Sequence, residues 1–132
     1  MRFFAVLTAF VAAAAPALAI PSTNSTNFDR AALYGNNCKG SGLCGDVNIR
    51  GDCQKAIATV NPGATYTDQA QFSTGSCYMI YATNGAGQQP VSGQVIIDTA
   101  NTILGHCSNT CGSYGTNNAG CSSCHVTLNY RA

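Results

Sequence analysis

An α+β fold is what this sequence predicts: a two-layer sandwich, its antiparallel sheet carrying two helices packed on one face, stapled by disulfides. Three observations predict it. Segments 46–60 and 92–106 repeat apolar residues at helical spacing. Segments 65–72, 77–83 and 125–130 alternate side chains as strands do. Eight cysteines, all from Cys38 onward, form an even set of the kind that oxidises to bridges in an exported chain.

Arg2, the apolar run 3–15 and Ala17-Leu18-Ala19 have the layout of a signal peptide over residues 1–19. Residues 20–33 are polar and turn-rich, as in a flexible N-terminal tail, and Asn24-Ser25-Thr26 within them is a glycosylation sequon. Residues 34–132 then make one domain with a modest core. In the first helix, 46–60, Ile49, Cys53, Ala56, Ile57 and Val60 share a face. Asp46 is positioned to cap it and Asn61-Pro62-Gly63 to stop it. Strands 65–72 and 77–83 flank Ser73-Thr74-Gly75-Ser76, a sequence suited to a hairpin turn. In the second helix, 92–106, Val95, Ile96, Thr99, Ala100, Ile103 and Leu104 line one face, with Ser92 as N-cap and Gly105 near the end. Residues 112–120, rich in Gly and Asn, read as a loop, and 125–130 as a final strand.

Charge narrows the function classes. After residue 19 the chain sets Arg30, Lys39, Arg50, Lys55 and Arg131 against Asp29, Asp46, Asp52, Asp68 and Asp98, with no Glu. Nucleic-acid binding and lysis of anionic membranes both draw on a basic excess, which is missing here. The cysteines, Cys38, Cys44, Cys53, Cys77, Cys107, Cys111, Cys121 and Cys124, are read as four disulfides. The near neighbours Cys107/Cys111 and Cys121/Cys124 are expected to bond outward to distant partners. Cys121-Ser122-Ser123-Cys124-His125 matches the C-x-x-C-H haem-attachment pattern, but haem or zinc would take thiols out of a complete even set. No metal or other cofactor is expected. Hydrophobins also have eight cysteines, but with adjacent Cys-Cys doublets that this chain lacks.

No catalytic set stands out. Asp46 and Asp52 lie six apart, which separates them around a helix. His106 and His125 adjoin Cys107 and Cys124, which as bridge sulfurs cannot act as nucleophiles. No nucleophile-elbow motif is present. The chain is expected not to be an enzyme.

Cys38-Lys39-Gly40-Ser41-Gly42-Leu43-Cys44-Gly45 resembles the C-[RK]-G-S-x-x-C-G opening of fungal killer toxins of the KP-four type. Ser92-Gly93 with the helix after it, Cys107 to Cys111 followed by Gly112-Ser113, and Val126-Thr127-Leu128-Asn129-Tyr130 resemble that family's second helix, its cysteine-Gly-Ser ending and its terminal strand. The resemblance implies a compact α/β sandwich in which Cys38 pairs with Cys107 and Cys44 with Cys111. Cys53, Cys77, Cys121 and Cys124 would make the other two bridges, in a pairing left open. It also implies secretion and inhibition of competing fungi by block of calcium uptake through membrane channels. A folded toxin blocks a cation channel by offering a basic side chain to a ring of acidic groups. Lys39 is the basic residue at a matching motif position; segment 61–76, where smut-type toxins cluster Lys and Arg, has neither. The alternative is a secreted effector or wall-associated protein binding a host or glycan target, with Tyr66, Tyr78, Tyr81 and Tyr114 as stacking surfaces. A monomer is expected in either case.

Overall fold

A computed structural model describes residues 33–132. The segment expected to be a signal peptide and most of the expected tail, with Asn24, lie outside the described residues. The elements run in the order α1 (Leu43–Asp46), α2 (Arg50–Ala58), β1 (Thr65–Tyr66), β2 (Ala70–Gln71), β3 (Cys77–Ala82), β4 (Val91–Ser92), α3 (Gly93–His106), β5 (Gly112–Gly115) and β6 (His125–Tyr130). Strands β2, β3, β6 and β5 form an antiparallel sheet in that spatial order, and β1 pairs with β4 in a separate ribbon. The fold is α+β and disulfide-stapled.

Period-two alternation sorts β3 and β6 into two faces. Cys77, Met79 and Tyr81 of β3 point to the same side as Val126 and Leu128 of β6, with Met79 opposite Leu128 and Tyr81 opposite Val126. All five are fully buried against the helices. Helix α2 covers them with Cys53, Ala56 and Ile57, flanked by Ile49 and Val60. Helix α3 covers them with Ile96, Ala100, Ile103 and Leu104. Each buried isoleucine contributes roughly 2 kcal/mol of apolar transfer, so this layer is the main source of stability besides the bridges. Ser92 Oγ accepts from the Val95 amide at 3.3 Å, capping α3. At the other end of α3, Arg50 donates from Nη2 to the Leu104 carbonyl at 2.7 Å, placing positive charge where the helix leaves acceptors unpaired.

Four expectations are corrected by the structure. First, Asp46 does not cap the long helix. It ends the separate single turn α1, and α2 starts at Arg50 with Ile49 as its N-cap. Second, the strand expected over 65–72 is two strands. Gln69 takes a left-handed backbone (φ 51°), held by Asp68 Oδ1, which accepts from the Gln69 amide at 2.8 Å and the Thr83 amide at 2.9 Å. The chain turns there, so β1 joins β4 while β2 joins β3. Third, the loop expected over 112–120 contains β5. Its edge is filled by Asn37, which exchanges backbone hydrogen bonds with Ser113 at 3.0 and 2.9 Å.

The bridges supply the fourth correction. Cys38 is joined to Cys107, Cys44 to Cys111, and Cys53 to Cys77. Cys121 and Cys124, expected to bond outward, bond to each other. The turn through Ser122 and Ser123, entered from Gly120 at φ 69°, brings their Cα atoms to 5.4 Å, within the span a disulfide bridges. Four disulfides in a chain this small fit an oxidising, extracellular setting. Among the described residues no helix is long and apolar enough to cross a membrane.

Candidate target-binding loop

The segment from Cys38 to Cys44 lies over the end of β6 and the turn after α3, tied down at both ends by a bridge. Glycine at position 40 is a packing requirement. A Cβ there would stand 2.6 Å from Cys111 Cβ and 3.0 Å from Asn129 Oδ1. Asn129 Oδ1 accepts from the Ser41 amide at 2.8 Å, fixing the loop to β6. Asn37 Oδ1 accepts from the Lys39 amide at 3.0 Å, and Asn109 Nδ2 donates to the Cys38 carbonyl at 3.4 Å. Asn109 Oδ1 is the one buried side-chain polar atom without a hydrogen-bond partner among the described residues. The residue after it, Thr110, is buried and β-branched yet sits at φ 71°, a costly backbone state stabilised by the bridges at Cys107 and Cys111 on either side.

Lys39 is exposed on this anchored backbone. Arg50 is spent on the Leu104 carbonyl, Arg131 donates from Nε to the Gly75 carbonyl at 2.9 Å, and Lys55 pairs with Asp52 at 3.5 Å. Among the described residues, Lys39 is therefore the basic side chain that makes neither an ion pair nor a hydrogen bond. A cation with no internal partner, on a backbone anchored by two bridges and by Asn37, Asn109 and Asn129, is available to an external acidic group.

The other titratable groups are engaged separately. Asp52 accepts from the Ser76 amide at 3.0 Å. That bond, opposed by partial desolvation and helped by Lys55, holds its carboxyl below the usual carboxylate range. Asp68 is lowered chiefly by the Thr83 amide, against some desolvation and with help from the Gln69 amide. The Tyr81 hydroxyl is pushed up by burial, partly offset by the Asn118 amide. His106 Nδ1 contacts the Thr102 carbonyl at 3.0 Å, and His125 Nδ1 contacts the Ser123 carbonyl at 2.7 Å. All eight cysteines are bridged. Among the described residues no three His, Cys, Asp or Glu side chains gather as a metal set.

A folded-state carboxyl lowered in this way adds stability above its unfolded value and loses it as pH falls through the folded one. Thermal midpoints are thus expected to fall on acidification below about pH 4, with a shallower fall in Asp68→Asn. Circular dichroism melts across that range check it.

The four tyrosines considered for sugar stacking do not share a surface. Tyr81 is fully buried and donates its hydroxyl to the Gln89 carbonyl at 2.6 Å. Tyr66 lies edge-on to Phe72 at 5.0 Å, and Tyr114 packs against the core. Only Tyr78 belongs to the outer sheet face, opposite Asn129. That face carries a pair the sequence did not signal, Tyr34 stacked on His125 at 4.6 Å. Nothing local joins residues 91 apart in the chain.

A family model described as "Meiotically up-regulated gene family" matches residues 36–132. No curated protein matches the chain.

Proposed function

Starting from the fact that the chain belongs to the meiotically up-regulated gene family, we propose that it is a secreted, killer-toxin-like protein that acts by binding. It inhibits competing fungi by placing Lys39 against an acidic ring of a calcium-uptake channel. The observation that carries this reading is Lys39, a cation without an internal partner among the described residues, on a doubly bridged loop. The Cys38–Cys107 and Cys44–Cys111 bonds, the pairing that the killer-toxin resemblance implies, support it further. The family's description refers to meiosis and names no target; the channel target comes from the killer-toxin resemblance, and the choice of Lys39 from the loop.

Purified, oxidised protein is tested on sensitive fungi with and without added calcium. Inhibition relieved by calcium is expected, and Lys39→Ala is expected to lose at least tenfold in potency at an unchanged melting temperature. Equal potency of Lys39→Ala and the parent defeats the reading. The second reading, a wall-binding or host-directed effector, draws on the outer sheet face, which Tyr78, Thr127 and Asn129 share with the Tyr34–His125 pair at its other end. Absence of inhibition together with retention on chitin, lost in Tyr78→Ala, supports that one instead.

A further inference from the structure

Three of the bridges tie distant parts of the chain to one another; the fourth closes a turn. Cys53 and Cys77 are both fully buried, and Cys44–Cys111 is covered by the Gly40 packing. Cys38 is exposed, but the intact Cys44–Cys111 bond and the Asn37–Ser113 backbone pair keep its partner in place for reclosure. Cys121–Cys124 spans a sequence separation of 3. It joins no two elements, and its two residues differ in burial: Cys121 is half-buried and Cys124 fully buried. A bridge closing so short a loop constrains the unfolded chain least, so opening it costs the native state least. Reduction of a disulfide needs a thiolate to reach one sulfur in line with the other, and of the two residues in this bridge Cys121 is the less buried.

We propose that Cys121–Cys124 is a thiol-exchange site for a small-molecule thiol of the glutathione class, entered at the Cys121 sulfur. The attacking thiolate forms a bond to Cys121 Sγ. The Cys121–Cys124 bond breaks, and its electron pair leaves on Cys124 Sγ, which takes a proton from water. A second thiolate then attacks the small-molecule sulfur of the mixed disulfide, releasing Cys121 as a thiol. Two small thiols are oxidised to their disulfide, and the protein bridge is reduced by two electrons.

The consequence reaches beyond the turn. Ser123 Oγ lies 3.6 Å from Cys121 Sγ and donates to the Thr83 carbonyl at 2.6 Å. Asn118 Nδ2 donates to Tyr81 Oη at 3.0 Å and also reaches the Gln89 and Pro90 carbonyls at 3.3 and 3.4 Å. Segment 116–124 thus clasps the glycine-bearing loop between β3 and β4, and opening the bridge releases that clasp while three disulfides keep the core.

The full oxidised chain is treated with graded glutathione, quenched in acid, alkylated and mapped by tandem mass spectrometry. The expected first product carries glutathione on Cys121, followed by two alkylated sulfurs at 121 and 124. These appear at a thiol concentration at least tenfold below that opening any other bridge. Amide exchange over 83–90 is expected to rise at least tenfold with the far-ultraviolet spectrum unchanged. First opening at Cys38–Cys107, an adduct on Cys124, or release of all eight sulfurs together overturns the proposal. The double variant Cys121→Ala with Cys124→Ala is expected to fold and to lose only the first step. A variant that fails to fold shows the bridge to be structural and overturns it equally.

Discussion

Removing both bridges that hold the N-terminal loop, by replacing Cys38, Cys44, Cys107 and Cys111 with alanine, is expected to leave the protein unfolded at room temperature. Removing either one is expected to leave it folded. The bridges have sequence separations of 69 and 67 and lie side by side. With one in place, the second closes only a ring of about a dozen residues and contributes about 3 kcal/mol through the unfolded chain. With neither in place, the long closure is lost as well, and the cost rises to about 7 kcal/mol. That matches or exceeds the total stability of a small domain at the lower end of its range, about 5–7 kcal/mol. The double loss therefore exceeds the sum of the single losses by about 1–2 kcal/mol. Urea unfolding of the two single-bridge variants and the double-bridge variant measures it; strict additivity would rule out the shared-loop account.

Gly93→Ala is the second large effect. The first residue of α3 lies under the chain that leaves α2. A Cβ at 93 would overlap the Asn61 carbonyl oxygen, standing 2.7 Å from its carbon and 3.1 Å from Pro62 Cα. These are backbone atoms, and the Gly93 amide donates to the Ala64 carbonyl at 2.9 Å, so neither side yields easily. The expected cost is about 3 kcal/mol, or roughly 15 °C in melting temperature. Gly105, in the same helix with open space around its Cβ position, supplies the control. Gly105→Ala is expected to be neutral or stabilising by up to about 1 kcal/mol. If both alanines behave alike, helix propensity rather than contact governs position 93.

The core was legible in the sequence because its signals are local. Ile49, Cys53, Ala56, Ile57 and Val60 repeat at one spacing, and all are buried. Ser92 announces the start of α3, and 125–130 alternates cleanly as β6. What was hidden depends on distant partners. Gly112-Ser113-Tyr114-Gly115 has weak strand character and becomes β5 because Asn37 and β6 occupy its two edges. The break at Gln69 is made by the Asp68 carboxylate reaching Thr83, 15 residues on. At the candidate loop, Lys39 was visible as a motif position. Its isolation was not, since that depends on where Arg50, Lys55 and Arg131 spend their charge.

The pairing of Cys38 with Cys107 and of Cys44 with Cys111 also sets a schedule. A ribosome releases the chain from its N-terminus, so Cys38 and Cys44 emerge long before their partners exist. Meanwhile Cys53 and Cys77, 24 apart, become available to each other and to the two waiting thiols. Mispairing in that interval has to be undone by disulfide reshuffling, which takes seconds to hours. Yield from a recombinant host should consequently depend on disulfide isomerase more than on the supply of oxidant.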